Sequence, residues 1–172
     1  MTLFETNRLQ VRQLIPQDAN AMFTIFSDPD VTRWMGDGSP LSAEQCEKWI
    51  EVSLRNYETK GFGASAVIEK SSGSFIGCSG IVYDAERQEP EIIYAFHPHA
   101  WGKGYASELV PAMLTYGFTE CNLNYILATI DVENKASQHI VQKAGMKLIK
   151  EEHESDGLVT LVYKIDKEKA DA

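Results

Sequence analysis

The amino-acid sequence predicts a mixed α/β fold of the α+β kind, and three observations lead to it. Hairpin turn signals, Ser71-Ser72-Gly73-Ser74 and Ser155-Asp156-Gly157, each separate two extended apolar runs. Helical periodicity marks stretches before residue 61 and after residue 104. Only one strand-helix-strand unit stands between the hairpins, over residues 91–132, which is too few for a doubly wound sheet. At 172 residues and 44% hydrophobic, the chain reads as one domain over 1–172, with a core spanning about 5–165 and large enough to need no covalent staples.

Arg8-Leu9-Gln10-Val11-Arg12 alternates polar and apolar residues and predicts a half-buried first strand. After Pro16, the stretch Gln17–Ser27 places Ala19, Met22, Phe23 and Phe26 on one helical face, and Asp28-Pro29 stops it. Trp34 and Met35 lead into a glycine-proline loop, Gly36–Pro40. Ser42-Ala43-Glu44-Gln45 has capping-box spacing and opens a longer helix with Cys46, Trp49, Ile50 and Tyr57 on its apolar side, closed by Gly61. Gly63–Glu69 and Phe75–Tyr83 then form a hairpin. Glu91–Phe96 is a near-continuous apolar run, the pattern of a central strand covered on both faces.

The next helix, ending near Cys121, turns Leu109, Met113, Leu114 and Phe118 inward. Pro111 removes one of its hydrogen bonds about two turns in, so a bend is expected there. Tyr125–Val132 is the following strand, and Asn134 caps a helix over Lys135–Ala144 with Gly145 at its end. Met146–His153 and Leu158–Ile165 pair as the last hairpin, and Asp166–Ala172 is a charged, frayed tail. The element order is βααβββαβαββ, without repeat or linker.

A net charge of −9 argues against a nucleic-acid surface and suits cationic partners such as amines, with simple solubility as the rival reading. Cys46, Cys78 and Cys121 are odd in number and far apart, as expected of reduced cysteines packed as small hydrophobes in a cytoplasmic protein. Met1-Thr2-Leu3-Phe4-Glu5 has no basic or apolar leader pattern, and no run approaches the roughly 18 apolar residues of a membrane span. No membrane or nucleic-acid partner is therefore expected. His97-x-His99 invites a metal reading, but no Cys or acidic cluster nearby completes a ligand set, so no metal is expected.

Trp101-Gly102-Lys103-Gly104-Tyr105-Ala106, between the central run and a helix, carries the most chemistry. Glycines let backbone N–H groups turn inward, and a helix N-terminus adds unpaired donors with partial positive charge. Together these suit an anion, phosphate above all. The spacing is not that of a P-loop. A dinucleotide fingerprint is also disfavoured: its third glycine position is Ser107, and two strand-helix-strand halves are needed.

With its setting in residues 91–145, this motif resembles the acetyl-coenzyme A (acetyl-CoA) site of the GNAT superfamily of N-acetyltransferases, whose pattern is Arg/Gln-x-x-Gly-x-Gly/Ala. Trp101 departs at the first position. The spelling Trp-Gly-Lys-Gly-Tyr-Ala with Glu108, together with Asn134-x-x-Ser137 running into Lys143-Ala144-Gly145-Met146, resembles the RimJ/RimL subgroup of ribosomal-protein N-terminal acetyltransferases. Thr6-x-Arg8-Leu9 and Asp28-Pro29-x-Val31 resemble the same subgroup's opening elements.

The resemblance implies a central, mostly antiparallel seven-stranded sheet, splayed between its fourth and fifth strands (Glu91–Phe96 and Tyr125–Val132) and flanked by about four helices. It implies that pantetheine pairs with backbone near Tyr94, Phe96 and His97. The pyrophosphate would take N–H groups of the Trp101–Ala106 stretch from Gly102 onward, with the Ser107 hydroxyl close by and Lys103 as an optional point charge.

The reaction implied is attack of a neutral primary amine on the thioester in a ternary complex, helped by a backbone N–H at the developing oxyanion. The usual tyrosine acid, seven residues after the asparagine, is replaced by Val141, and Ser137 is the subgroup's alternative for bonding the sulfur. Asn134 caps its helix and contacts the cofactor, and Glu91 is the candidate base, with a solvent-facing strand-edge acid as the rival reading. Trp34, Met35 and Trp49 are candidates to line the acceptor pocket, although such aromatics more often pack in cores. The acceptor is a protein N-terminal amine or a small amine, and the protein a monomer or homodimer. The non-enzymatic alternative is a module that holds acetyl-CoA without turnover.

Overall fold

The computed structural model describes residues 1–167, so residues 168–172 of the charged tail lie outside the described residues. Eight strands form one sheet in the order β1-β2-β3-β4-β5-β6-β8-β7: β1 (Thr2–Glu5), β2 (Leu9–Gln13), β3 (Ala64–Glu69), β4 (Phe75–Tyr83), β5 (Pro90–Phe96), β6 (Tyr125–Asp131), β7 (Lys147–His153) and β8 (Val159–Asp166). Every pairing is antiparallel except β5 with β6. Among the described residues, five α-helices flank the sheet: α1 (Ala19–Phe26), α2 (Pro29–Thr32), α3 (Ala43–Lys60), α4 (Tyr105–Thr119) and α5 (Lys135–Lys143).

Two elements exceed the expectation of seven strands and about four helices. β1 is a four-residue edge strand, too short to display alternation, and its place is set by a distant contact of Phe4 with the Tyr116 ring, centroids 5.3 Å apart. α2 is a single turn started by Asp28, whose side chain accepts the Asp30 N–H at 2.9 Å behind Pro29. Among the α1 candidates, Met22 and Phe26 are buried but Phe23 points outward, because the face turned to the core runs through Ile25 instead.

Strand alternation sorts the core into two layers. Ala64, Ala66, Ile68 and Cys78 pack with Met22, Phe26, Cys46 and Ile50 of α1 and α3 on one face. Ile81, Ile92, Ile126 and Ala128 pack with Val110, Met113 and Phe118 of α4 and Val141 of α5 on the other. The capping box at Ser42 forms as its spacing implied, with Ser42 Oγ accepting the Gln45 N–H at 3.2 Å and Gln45 Oε1 accepting the Ser42 N–H at 2.8 Å. α4 runs continuously through Pro111.

The β5–β6 junction positions the site. These parallel strands share a single paired position, Glu91 with Leu127, after which they part. Each keeps a full antiparallel partner on its other side, β4 and β8 respectively. The gap therefore opens in the middle of the sheet, where the family resemblance implied a splay.

Candidate active site

The wall of the gap is the half of β5 beyond Glu91. The His97 N–H is donated to the Ile76 carbonyl at 2.8 Å, which fixes the antiparallel phase with β4. The backbone groups of Ile92, Tyr94 and Phe96 consequently point toward β6, into the gap. Trp101 Nε1 donates to the Phe96 carbonyl at 2.9 Å. The half-exposed indole thereby closes the far end of the wall, while the N–H groups of Tyr94 and Phe96 stay turned inward. His97 spends its own N–H on β4 and leans its ring against that of His99.

At the mouth of the gap, a 3₁₀ turn over Pro98–Ala100 leads into the glycine loop. Gly102 and Gly104 have φ of 72° and 79°, the left-handed region that favours glycine, and Gly104 is the N-cap of α4. Lacking a side chain, this cap offers no acceptor of its own. Among the described residues, the N–H groups of Gly102 to Ser107 are donated to no protein group. A row of free donors at a helix N-terminus suits a polyanion. Ser107 is exposed in the first turn, and Ala106 packs against the core cluster around Tyr105.

A brace on the N-terminal segment holds this loop. Arg8 donates from Nη1 to the Lys103 carbonyl at 2.8 Å and from Nε to Glu108 Oε2 at 2.7 Å, and its guanidinium lies 4.5 Å over the Tyr105 ring. Glu108 Oε1 also accepts the Arg8 N–H at 2.7 Å and the Thr6 hydroxyl. The Tyr105 hydroxyl donates to Glu69. The Lys103 side chain is exposed beside a cavity of about 470 Å³ that opens between α1 and the 98–100 turn, lined in part by Thr24, Glu69, His97 and His99. That cavity adjoins the loop but lies outside the β5–β6 gap, where the backbone donors and acceptors converge.

The apex of the gap is held by charge. Glu91 Oε1 accepts the Thr129 N–H of β6 at 3.2 Å. Arg87, from the β4–β5 connection, approaches Glu91 at 3.8 Å, donates to Thr129 Oγ1 at 3.0 Å and pairs with Glu152 of β7. Burial raises the Glu91 pKa above its ordinary value, with the Thr129 hydrogen bonds and Arg87 opposing. Glu91 is thus neither a free edge acid nor fully buried.

Opposite the wall stands α5. Asn134 Oδ1 accepts the Ser137 N–H at 3.2 Å and caps the helix, as its spacing implied. Ser137 brings its hydroxyl toward the Tyr94 side chain. Val141 is fully buried in the α4–α5 core. Of the pocket candidates, Trp49 and Met35 pack against the α1–α3 core cluster, as do Ile93 and Ala95 from the face of β5 that also carries Glu91. Trp34 is 38% exposed beneath Arg33 and joins no core cluster.

Sequence reasoning gave no role to Arg8, Arg87, Thr129 and Glu152. Thr6-x-Arg8 was a visible signal, but its partner lies 100 residues further along the chain. Among the described residues, no three His, Cys, Asp or Glu side chains gather in a metal-binding group, and no helix is long and apolar enough to cross a membrane.

A splayed mixed sheet with a glycine loop at a helix N-terminus defines a class of acyl-group transferases. The family model described as an acetyltransferase (GNAT) domain matches residues 8–147, and the chain belongs to that family. It is accordingly an N-acetyltransferase that uses acetyl-CoA. It is 37% identical to YkkB of Bacillus subtilis over 84% of this chain and 85% of the relative. It is 32% identical to the uncharacterized N-acetyltransferase YoaA of Bacillus subtilis over 84% and 82%. A GNAT-family acetyltransferase structure from Bacillus anthracis superposes with a TM-score of 0.82 at 27% identity, covering 98% and 99% of the two chains. The RimL acetyltransferase of ribosomal L7/L12, in complex with coenzyme A, shares the fold at TM-score 0.82 and 12% identity, over 96% of this chain and 98% of RimL.

Proposed function

We propose that this chain transfers the acetyl group of acetyl-CoA directly to a primary amine, with the β5–β6 gap as the meeting place. One observation carries the reading: Glu91 holds the apex of the gap from one face of the sheet, while the free N–H groups of the glycine loop lie at α4 on the other. The donor and the acceptor then approach from opposite sides.

The N–H groups of Gly102 to Ser107 take the pyrophosphate, and the inward backbone of Tyr94 and Phe96 pairs with the pantetheine arm. Either of those two N–H groups supports the oxyanion of the thioester carbonyl. Acetyl-CoA supplies the activated acyl group. Glu91 receives the amine proton directly or through one water, a role suited to a carboxylate whose pKa is raised. Asn134 and Ser137 line the α5 side, and Trp49 with Met35 shapes the acceptor's approach.

For the acceptor, the −9 charge favours cationic amines. An N-terminal α-amine, with pKa of about 7.7–8.0, needs little help to become neutral, whereas a lysine-type amine near 10.4 leans harder on Glu91. Support for a RimJ/RimL-like branch is the spelling of Trp101–Ala106 and the presence of Ser137. The separated thiols of Cys46, Cys78 and Cys121 support a cytoplasmic setting.

The test is to follow thiol release from acetyl-CoA with a panel of peptide N-termini, polyamines and amino acids. Release with at least one amine is expected. Tight acetyl-CoA binding without release for any acceptor would leave the non-catalytic binding module standing instead.

A further inference from the structure

Tyr94 carries an unexplained polar atom. Its hydroxyl is buried and, among the described residues, has no hydrogen-bond partner. Buried hydroxyls are nearly always paired, and an exception calls for a reason such as a group that arrives later. The ring stands on β5 at the gap, in contact with both the α4–α5 core and the cluster around Tyr105. The polar group facing it is the Ser137 hydroxyl, near enough to temper the upward push that burial exerts on the Tyr94 pKa, yet outside hydrogen-bonding geometry. Two hydroxyls, from the strand and the helix that flank the gap, thus face the same space without satisfying each other.

We propose that the Tyr94 hydroxyl is the acid that protonates the departing sulfur. The inference rests on the acetyltransferase reading above. Alternation along β5 puts Glu91 with Ile93 and Ala95 on one face and Tyr94 with Ile92 and Phe96 on the other. Base and acid therefore flank the gap from opposite sides of the sheet. As the amine lone pair forms the new C–N bond, the C–S bond breaks and its electron pair passes to sulfur. Tyr94 Oη gives that sulfur its proton. Glu91 takes the proton lost by nitrogen and releases it to solvent, and solvent returns one to Tyr94, so the resting state is restored. A phenol whose pKa is raised stays protonated at neutral pH, as a donor must. The position at which many relatives carry a tyrosine acid is Val141, closed into the core, so that route is blocked here.

Coenzyme A itself is the probe. Its thiol is titrated while bound to the wild type, to Tyr94→Phe and to a variant with fluorotyrosine at position 94. A hydroxyl that donates to the thiolate lowers the bound thiol pKa, so Tyr94→Phe should raise it by about one unit, the size of one hydrogen bond to a charge. The more acidic fluorotyrosine should lower it. In turnover, Tyr94→Phe should lose about 10²-fold in kcat with acetyl-CoA and much less with an acetyl thioester whose thiol is a better leaving group. Because the hydroxyl is unpartnered, Tyr94→Phe should melt at or above the wild-type temperature. Equal bound-thiol pKa values in all three proteins overturn the assignment, whatever the activity. Failure of the wild type to bind coenzyme A overturns the acetyltransferase reading, and this inference with it.

Discussion

Glu91 Oε1 accepts the Thr129 N–H at 3.2 Å, just beyond the single position at which β5 and β6 are paired. A continued parallel ladder would have given that N–H a β5 carbonyl. A carboxylate takes that place instead, so one side chain ends the ladder and stands at the opening.

Burial sets the Glu91 ionisation above its ordinary value of 4.5, against the pull of Thr129 and Arg87. The folded chain then holds this proton more tightly than the unfolded chain. The stability that Glu91 contributes is therefore complete below the unfolded value and lost as pH rises through the folded one. Glu91→Gln should melt at or above the wild-type temperature at pH 7, and the difference should vanish near about pH 4. Its kcat/KM at pH 7 should fall about 10²-fold. Paired melting curves and rate measurements at the two pH values check both halves.

Glu108 has the opposite sign. Burial pushes its carboxyl up, but the Thr6 hydroxyl, the Arg8 N–H and the Arg8 guanidinium outweigh that and hold it below 4.5. Its stabilisation is present above the unfolded value and fades as pH drops through the folded one. Glu108→Gln should cost about 1–2 kcal/mol at pH 7, since charge-assisted hydrogen bonds are replaced by weaker ones. It should also flatten the acid limb of the stability curve and weaken coenzyme A binding several-fold by loosening Arg8 from the loop. Denaturant titrations from pH 3 to 7, with calorimetric binding, provide the measurement.

For Gly104 the expected cost is conformational. A Cβ there meets only Arg8 Nη2 at 3.5 Å, an ordinary contact, so Gly104→Ala is penalised through its φ of +79° by about 1–2 kcal/mol. Gly157 has a φ of +87° in the β7–β8 turn with nothing within 4 Å, which makes Gly157→Ala the matched control. Both variants should lose similar stability. Only Gly104→Ala should lose affinity for coenzyme A, by roughly tenfold, because its loop supplies the free N–H groups. Equal affinities in the two would remove the loop from the binding site.

Much of this molecule was legible from local sequence. Ser42 with Gln45, Asn134 with Ser137, and the left-handed Gly61 and Gly145 mark helix ends, and each forms as its spacing implied. The apolar texture of Glu91–Phe96 identified the central strand, because a strand covered on both faces has no polar side. Phe23 escaped, since a helix of eight residues with apolar side chains on several faces leaves its orientation to the neighbours it packs against. β1 escaped because its evidence is a ring contact with α4. The braces at the site, Arg8 to Glu108 and Arg87 to Glu152, span 100 and 65 residues, and no periodicity reports a partner at such range. Tyr94 was legible for its backbone alone, because only the folded arrangement reveals a hydroxyl without a partner.

The parting of β5 and β6 also divides the protein mechanically. Strands β1 to β5 make one leaf and β6 to β8 the other, with α4 packed against both and Arg87 pinning them together at the apex. Elsewhere in the sheet each strand is stitched to its neighbours along several positions, but this seam has one stitch. On the proposed reading, a substrate arm laid along Tyr94 and Phe96 would add the missing stitches. The acyl donor would then be part of the binding of the book as well as its text.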